Sequence, residues 1–358
     1  MYYFTHINIH QFRGFRNFKF DNLGRVNLLV GMNNAGKTSV LEAVSIYCRS
    51  LDSMEWVALA SRRRMRESLS LIESLKWLFP QKSDNSSEIL MEAQGLFEVR
   101  EVRARFEELS ASQLTSSTVM ESDVDNEDLL QGAEIKVLHH AERDGSLVKK
   151  EERFELWENE EKINRSPKKI IEHTLPVSTI MPCSRRFKRV QMRQLTHAKT
   201  EGFLEQVLNL VQRIDPNIEN LEILSNDGKR FSLYFLHREI GLAPVNLFGE
   251  GVQRILALAL SLSSVQNGVL LIDELEAGIH TSVLKAVFSW LVEACRDYNI
   301  QLFATTHSLE ALDALLATDD SDEIVGYRLP NPIAGGPLKR FDGDLLHHLR
   351  YERGLDVR

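Results

Sequence analysis

The chain has 358 residues, with 43 Lys and Arg against 51 Asp and Glu, which gives a formal net charge of −8. That length holds one large domain or two ordinary ones and can bury a full core. The acidic balance argues against a general nucleic-acid coat while leaving room for a local basic patch, and no apolar run reaches membrane-spanning length.

The N-terminus alternates as a strand does and lacks a signal-peptide core. Three cysteines, Cys48, Cys183 and Cys295, are scattered without metal-ligand spacing. They read as buried thiols of a reducing compartment, so a cytoplasmic protein is expected. Residues 4–12 and 15–20 read as a strand pair about a turn at Arg13-Gly14, and Val26-Asn27-Leu28-Leu29-Val30 reads as a buried strand.

That strand runs into Gly31-Met32-Asn33-Asn34-Ala35-Gly36-Lys37-Thr38, a match to the G-x-x-x-x-G-K-[ST] phosphate loop. Gly31 and Gly36 lack a Cβ, so the loop can turn tightly and bring its N–H groups onto an anion. The helix expected over 38–47 points its positive end the same way. Gly31, Asn33, Asn34, Ala35, Gly36, Lys37, Thr38 and Ser39 are therefore the expected nucleotide-binding residues. Lys37 would reach the β- and γ-phosphates, and the Thr38 hydroxyl would ligate Mg2+.

Residues 51–80 lean helical, with Met54, Val57, Leu59, Leu69, Ile72, Leu75 and Leu78 as an apolar stripe and Pro80 as a stop. Residues 89–106 and 135–157 read as strands and hairpins, with a turn at Asp144-Gly145. Residues 110–128, rich in Ser and acids, read as an exposed loop. A short strand follows at 177–181, a helix at 202–214 ended by Pro216, and a strand at 231–236 after the turn Asn226-Asp227-Gly228.

Leu247-Phe248-Gly249-Glu250-Gly251-Val252-Gln253-Arg254 opens a helix whose buried face is Val252, Ile255, Leu256, Ala259 and Leu260. Its glycines leave N–H groups bare, which suits an anion; taken alone, the same residues also make an ordinary helix cap. Val269-Leu270-Leu271-Ile272-Asp273-Glu274 is a buried strand ending in two carboxylates. Asp273 is placed to bind Mg2+ and Glu274 to polarise an attacking water. Residues 300–307 repeat the pattern with His307 at the end. Ligands of open α/β sheets bind at the carboxyl edge of the strands, so His307 would contact the γ-phosphate or hold the water.

Together these residues resemble the ATP-binding heads of ABC-class ATPases, in the RecF/SMC-like and OLD-like branch. Phe12-Arg13-Gly14-Phe15-Arg16, Ile214-Asp215-Pro216-Asn217-Ile218, Phe248 to Arg254 and Asp273-Glu274-Leu275-Glu276-Ala277-Gly278-Ile279-His280 carry the likeness. It implies an α/β fold: an ABC-type head with a mostly parallel core sheet, an N-terminal antiparallel element and a helical and β insertion at 51–170 within a single domain over 1–358. It also implies ATP and Mg2+ as ligands and a homodimer or higher homo-oligomer. In that dimer Gly249, Glu250, Gly251 and Gln253 would cap the partner's γ-phosphate, His307 would be the switch histidine, and residues 276–280 would cross the interface. Lys37, Glu274 and His307 would carry catalysis. Where the transporter signature has Ser, this chain has Phe248. Gln94 is the candidate for the Q-loop.

Residues 308–358 look too short for the Toprim nuclease that many OLD-like proteins carry, since domains rarely fall below ~50 residues. The resemblance therefore points to a two-gene antiphage system, an ATPase controlling a separate effector such as a Toprim-like nuclease. Asp342-Gly343-Asp344 reads as a turn. Arg62-Arg63-Arg64 with Arg66, and Arg185-Arg186 with Lys188, Arg189, Arg193 and Lys199, would bind nucleic acid or an acidic partner, or simply form solvated faces; Arg185 or Arg186 would alternatively line the nucleotide site. The rival functions are an ATP-gated scaffold or sensor with little turnover and a RecF-like repair ATPase.

Overall fold

The computed structural model describes residues 3–63, 69–81, 88–96, 99–112, 129–143, 146–157, 164–165, 175–182, 188–225, 229–318, 323–331 and 335–358. In chain order the elements are β1 (Phe4–Phe12), β2 (Phe15–Asp21), β3 (Val26–Val30), α1 (Lys37–Cys48), α2 (Ser53–Arg63), α3 (Leu71–Lys76), β4 (Glu88–Gly95), β5 (Val99–Ser112), β6 (Leu129–Arg143), β7 (Ser146–Trp157) and β8 (Asn164–Arg165). The second half continues with β9 (Val177–Ile180), α4 (Lys188–Thr200), α5 (Leu204–Gln212), β10 (Ile218–Ser225), β11 (Phe231–His237), β12 (Gly241–Pro244), α6 (Glu250–Ser263), β13 (Val269–Ile272), α7 (Thr281–Asp297), β14 (Gln301–Thr305), α8 (Leu309–Leu316), β15 (Ile324–Arg328), β16 (Lys339–Asp342) and α9 (Gly343–His347). The contacts divide into two units: Tyr3–Asp21 with Glu42–Thr174, and Asn22–Leu41 with Leu175–Arg358.

The first unit is built on an antiparallel sheet in the order β2-β1-β4-β5-β6-β7-β8. The N-terminal pair turns at Arg13, whose φ of 50° is left-handed, so the turn falls at the expected place. β1 buries Phe4, Ile7, Ile9 and Phe12; its period-2 alternation is interrupted at two register shifts against β4, between Phe4 and His6 and between Ile9 and Gln11. Trp56 of α2 stacks on Phe79 at 5.8 Å between ring centroids. The α2–α3 segment matches the helical reading of 51–80, except that Met54 and Leu69 lie outside its buried stripe, 51% and 40% exposed. The charged face of the sheet is self-neutralising: Lys136 pairs with Glu107 and Glu134, Arg105 with Glu88, and Arg103 with Glu101.

The second unit holds a six-stranded sheet, β16-β15-β3-β14-β13-β9. Every neighbouring pair from β15 to β9 is parallel, and only the edge strand β16 is antiparallel. The central strands β3, β13 and β14 are short, mainly apolar runs buried at every position, as expected where both faces are covered. A separate antiparallel sheet, β10-β11-β12, lies beyond. Helix α6 joins the core through Val252, Ile255, Leu256, Ala259 and Leu260, all buried as the spacing predicts. The fold is thus α/β, with a mostly parallel core sheet and an antiparallel sheet that begins at the N-terminus.

Two local expectations are corrected, and one helix appears where none was expected. Asp342-Gly343-Asp344 is a helix cap rather than a free turn: the Asp342 side chain accepts from the Leu345 N–H at the start of α9. The stretch containing Arg193 and Lys199 is a helix, α4, whose narrow buried side carries Leu195 and Ala198. Residues 110–112 extend β5 rather than opening a loop. The turns at Asp144-Gly145 and Asn226-Asp227-Gly228, residues 113–128, Cys183 and Arg185 and Arg186 lie outside the described residues.

Candidate functional site

Strand direction gathers the site. Because β3, β13 and β14 run parallel, the chain leaves all three at one edge, carrying Gly31, then Asp273 and Glu274, then Thr306 and His307. Ladder bonds continue past the strands and fix those exits: Asp273 N–H donates to the Ile180 carbonyl at 2.8 Å, and Leu275 N–H to that of Thr305 at 2.9 Å.

The phosphate loop has the backbone its glycines foretell. Gly31 and Gly36 sit at φ 142° and 93°, and Asn34 is left-handed at 63°. Asn33 and Asn34 are exposed, Ala35 is buried, and Lys37, Thr38 and Ser39 form the first turn of α1. The Lys37 ammonium donates to the carbonyls of Gly31 and Met32 at 2.7 and 2.9 Å. Burial pulls its pKa down from 10.5 to about 8, against the opposing pull of Asp273, Glu274 and Glu276.

The two halves of the motif set meet at Thr38 and Asp273. The Thr38 hydroxyl lies 3.1 and 3.0 Å from the two Asp273 oxygens. Thr305 adds a second hydroxyl, donating to Asp273 Oδ1 at 2.7 Å while accepting from the Glu274 N–H at 2.8 Å. Glu274 is half-buried and left-handed, with φ 51°. His307 is half-buried too; burial lowers its pKa first and the Lys37 charge second, so the ring is neutral at pH 7.

The site's donors suit a small hard cation. A carboxylate and an alcohol 3 Å apart, both oxygen, beside a loop for phosphate, match the few protein ligands that Mg2+ takes. Thr38 and Asp273 are the residues that would hold it.

Gly249, Glu250, Gly251 and Gln253 belong to a different element from the Lys37 group. They form the start of α6, where Gly249 is the N-cap, no side chain caps the helix, and Gly249 and Glu250 are exposed. Gln253 turns back to its own chain, donating to the Phe248 carbonyl at 2.7 Å. Phe248 packs edge-on against Phe235, with centroids 4.9 Å apart. Gly251 approaches residues 276–280 so closely that a Cβ would meet the Gly278 carbonyl at 3.1 Å. Gln94 lies in the first unit, exposed on β4. Of the basic clusters, Arg62 faces Glu55 at 3.6 Å and Lys199 faces Glu222 at 3.1 Å, while Arg193 is exposed.

Motif reading did not foresee the contacts that three groups make. Arg254 is buried, and its guanidinium donates to the carbonyls of Met181, Asp273 and Glu274 at 2.9, 3.0 and 2.9 Å. The available signal was an arginine flanked by buried positions of an apolar helix, which needs fixed acceptors. Thr305 is the second group. Glu276 is the third: its carboxylate accepts from the N–H groups of His307 and Ser308 and from the Thr306 hydroxyl.

A protein from Helicobacter pylori described as an ATP/GTP phosphatase is 24% identical over 342 residues, covering 86% of each chain. The protein MJECL11 of Methanocaldococcus jannaschii is 42% identical over 78 residues, which is 22% of this chain and 68% of its own. The solved structure of an Smc head bound to the C-terminal winged-helix domain of ScpA overlays with a TM-score of 0.48 at 10% identity, covering 99% of this chain and all of the other. Among the described residues no helix is long and apolar enough to cross a membrane. A family model described as "AAA domain, putative AbiEii toxin, Type IV TA system" matches residues 26–313, four-fifths of the sequence and every motif above from β3 to His307, and the chain belongs to that family.

Proposed function

We propose that this chain is an ATPase that binds ATP with Mg2+ at the carboxyl edge of β3, β13 and β14. The observation that carries this reading is the contact of Thr38 with Asp273, which joins the phosphate-loop helix to the acid-tipped strand. The description of the H. pylori relative as an ATP/GTP phosphatase supports it.

In this reading the loop N–H groups and Lys37 take the phosphate oxygens, so Lys37 exchanges two carbonyl acceptors for a charged one. Glu274 takes a proton from the attacking water, and neutral His307 holds that water or the γ-phosphate in line. Mg2+ on Thr38 and Asp273 supplies charge neutralisation for the phosphates. Arg254 and Thr305 hold the main chain on either side of the Asp273 carboxylate.

The working form is a homodimer closed on ATP, with Gly249, Glu250, Gly251 and Gln253 reaching the partner's nucleotide. The bare, exposed start of α6 supports this, because a 14-residue helix presents its positive end there. The dimer governs a separate effector, such as a Toprim-like nuclease, in a defence system; the toxin–antitoxin description of the family supports that setting.

Phosphate release and nucleotide binding, measured on wild type, Lys37→Ala and Glu274→Gln, test the reading. Turnover in wild type, loss of binding in Lys37→Ala and binding without turnover in Glu274→Gln are expected. Equal turnover by wild type and Glu274→Gln overturns it.

A further inference from the structure

His307 follows β14 on a short link into α8, where its own N–H and that of Ser308 lie beyond the strand ladder. Both donate to Glu276 Oε1, at 3.0 and 3.1 Å. Glu276 Oε2 accepts from the fully buried Thr306 hydroxyl at 2.8 Å. One carboxylate thus takes three donors from three consecutive residues. On the opposite side of the same residue, Arg358 Nη1 donates to the His307 carbonyl at 2.6 Å, and Arg358 is itself paired with Asp356. The imidazole makes no hydrogen bond to the described residues, so its aim is set by its main chain. That main chain is held at the N–H by a carboxylate and at the carbonyl by a guanidinium, the stronger, charge-assisted kind of bond.

We propose that Glu276 is a positioning residue for His307, with Arg358 as its counterpart on the carbonyl. Glu276 turns inward onto its own chain's link, whereas the resemblance alone places it in a loop that crosses a dimer interface. Its consequence for turnover rests on the ATPase reading; the grip itself does not.

Two measurements test it. Amide hydrogen exchange of the peptide spanning 301–312 is expected to quicken at His307 and Ser308 in Glu276→Ala and in Glu276→Asp, which is one methylene too short. Under steady-state conditions Glu276→Ala is expected to lower kcat up to ~10²-fold, the scale of a catalytic group misplaced by about 1 Å, with ATP affinity unchanged. Glu276→Gln keeps an acceptor for the two N–H groups and a donor for the Thr306 hydroxyl, so it should restore most of that loss. In a His307→Ala background, Glu276→Ala should cost nothing further, since a residue acting through another loses its effect when that residue is gone. Unchanged exchange, or losses that add in the double variant, overturn the proposal. Faster exchange with no turnover in any variant, wild type included, upholds the grip and defeats the ATPase reading instead.

Discussion

Thr38 and Asp273 lie 235 residues apart in the chain, yet the hydroxyl of one reaches both carboxylate oxygens of the other at 3.1 and 3.0 Å. If the pair holds Mg2+ as proposed, metal dependence becomes separable from nucleotide binding. Thr38→Ala is expected to leave Mg2+-free ATP binding intact while raising the Mg2+ needed for half-maximal turnover by ~10-fold or more, and Asp273→Asn to do the same more strongly. Titrating Mg2+ at saturating ATP checks both, and chelation should abolish turnover in all variants.

On the proposed reading, Glu274→Gln removes the base and keeps the shape. Turnover should fall by ~10²- to 10⁴-fold, the usual contribution of a positioned base, with ATP affinity retained. Light scattering after gel filtration with ATP and Mg2+ should show the variant accumulating as a dimer. A monomer under those conditions removes the ATP-closed dimer from the proposed cycle.

Arg254 holds three carbonyls from two strand ends with one buried guanidinium. Arg254→Ala strands those acceptors and should destabilise the protein by about 2–4 kcal/mol, within the range for breaking a buried network. Arg254→Lys keeps the charge but not the planar fork, so it should recover only part. Urea unfolding midpoints give the comparison.

Cys48 and Cys295 are both buried, and burial pushes each thiol from 9.0 up to about 12. A raised thiol pKa keeps the proton on, so almost no thiolate exists at pH 8 and alkylation should wait for unfolding. In a Cys183→Ser background, iodoacetamide labelling at pH 8 should be negligible in the native protein and complete in urea. Cys48 lies in the first unit and Cys295 in the second, so the two labelling midpoints read the stability of each unit separately.

The parts of this fold legible in sequence are those where chemistry and periodicity coincide. β3, β13 and β14 are short, mainly apolar runs that lead into Gly31, Asp273 and Thr306, and their bounds fall within a residue or two of expectation. Helix α4 was not legible, because its outward residues are basic and its buried Gln194 finds its partner, Ser261, 67 residues away. β15 likewise makes sense only beside β3, nearly 300 residues earlier. The site divides the same way. Lys37, Thr38, Asp273 and Glu274 belong to contiguous motifs, whereas Arg254 and Glu276 act on main-chain atoms 19 to 73 residues distant, which no spacing rule encodes.

Glu274 occupies a left-handed backbone position, φ 51°, that suits glycine or asparagine better. Holding a side chain there costs about 1–2 kcal/mol, of which glycine would return part after its own entropy loss of about 0.5–1 kcal/mol. Glu274→Gly should therefore fold at least as firmly as wild type, by up to about 1 kcal/mol, and be catalytically dead. On the proposed reading, a side chain is kept where the backbone would rather have none, a local discomfort traded for the carboxylate that the reaction needs.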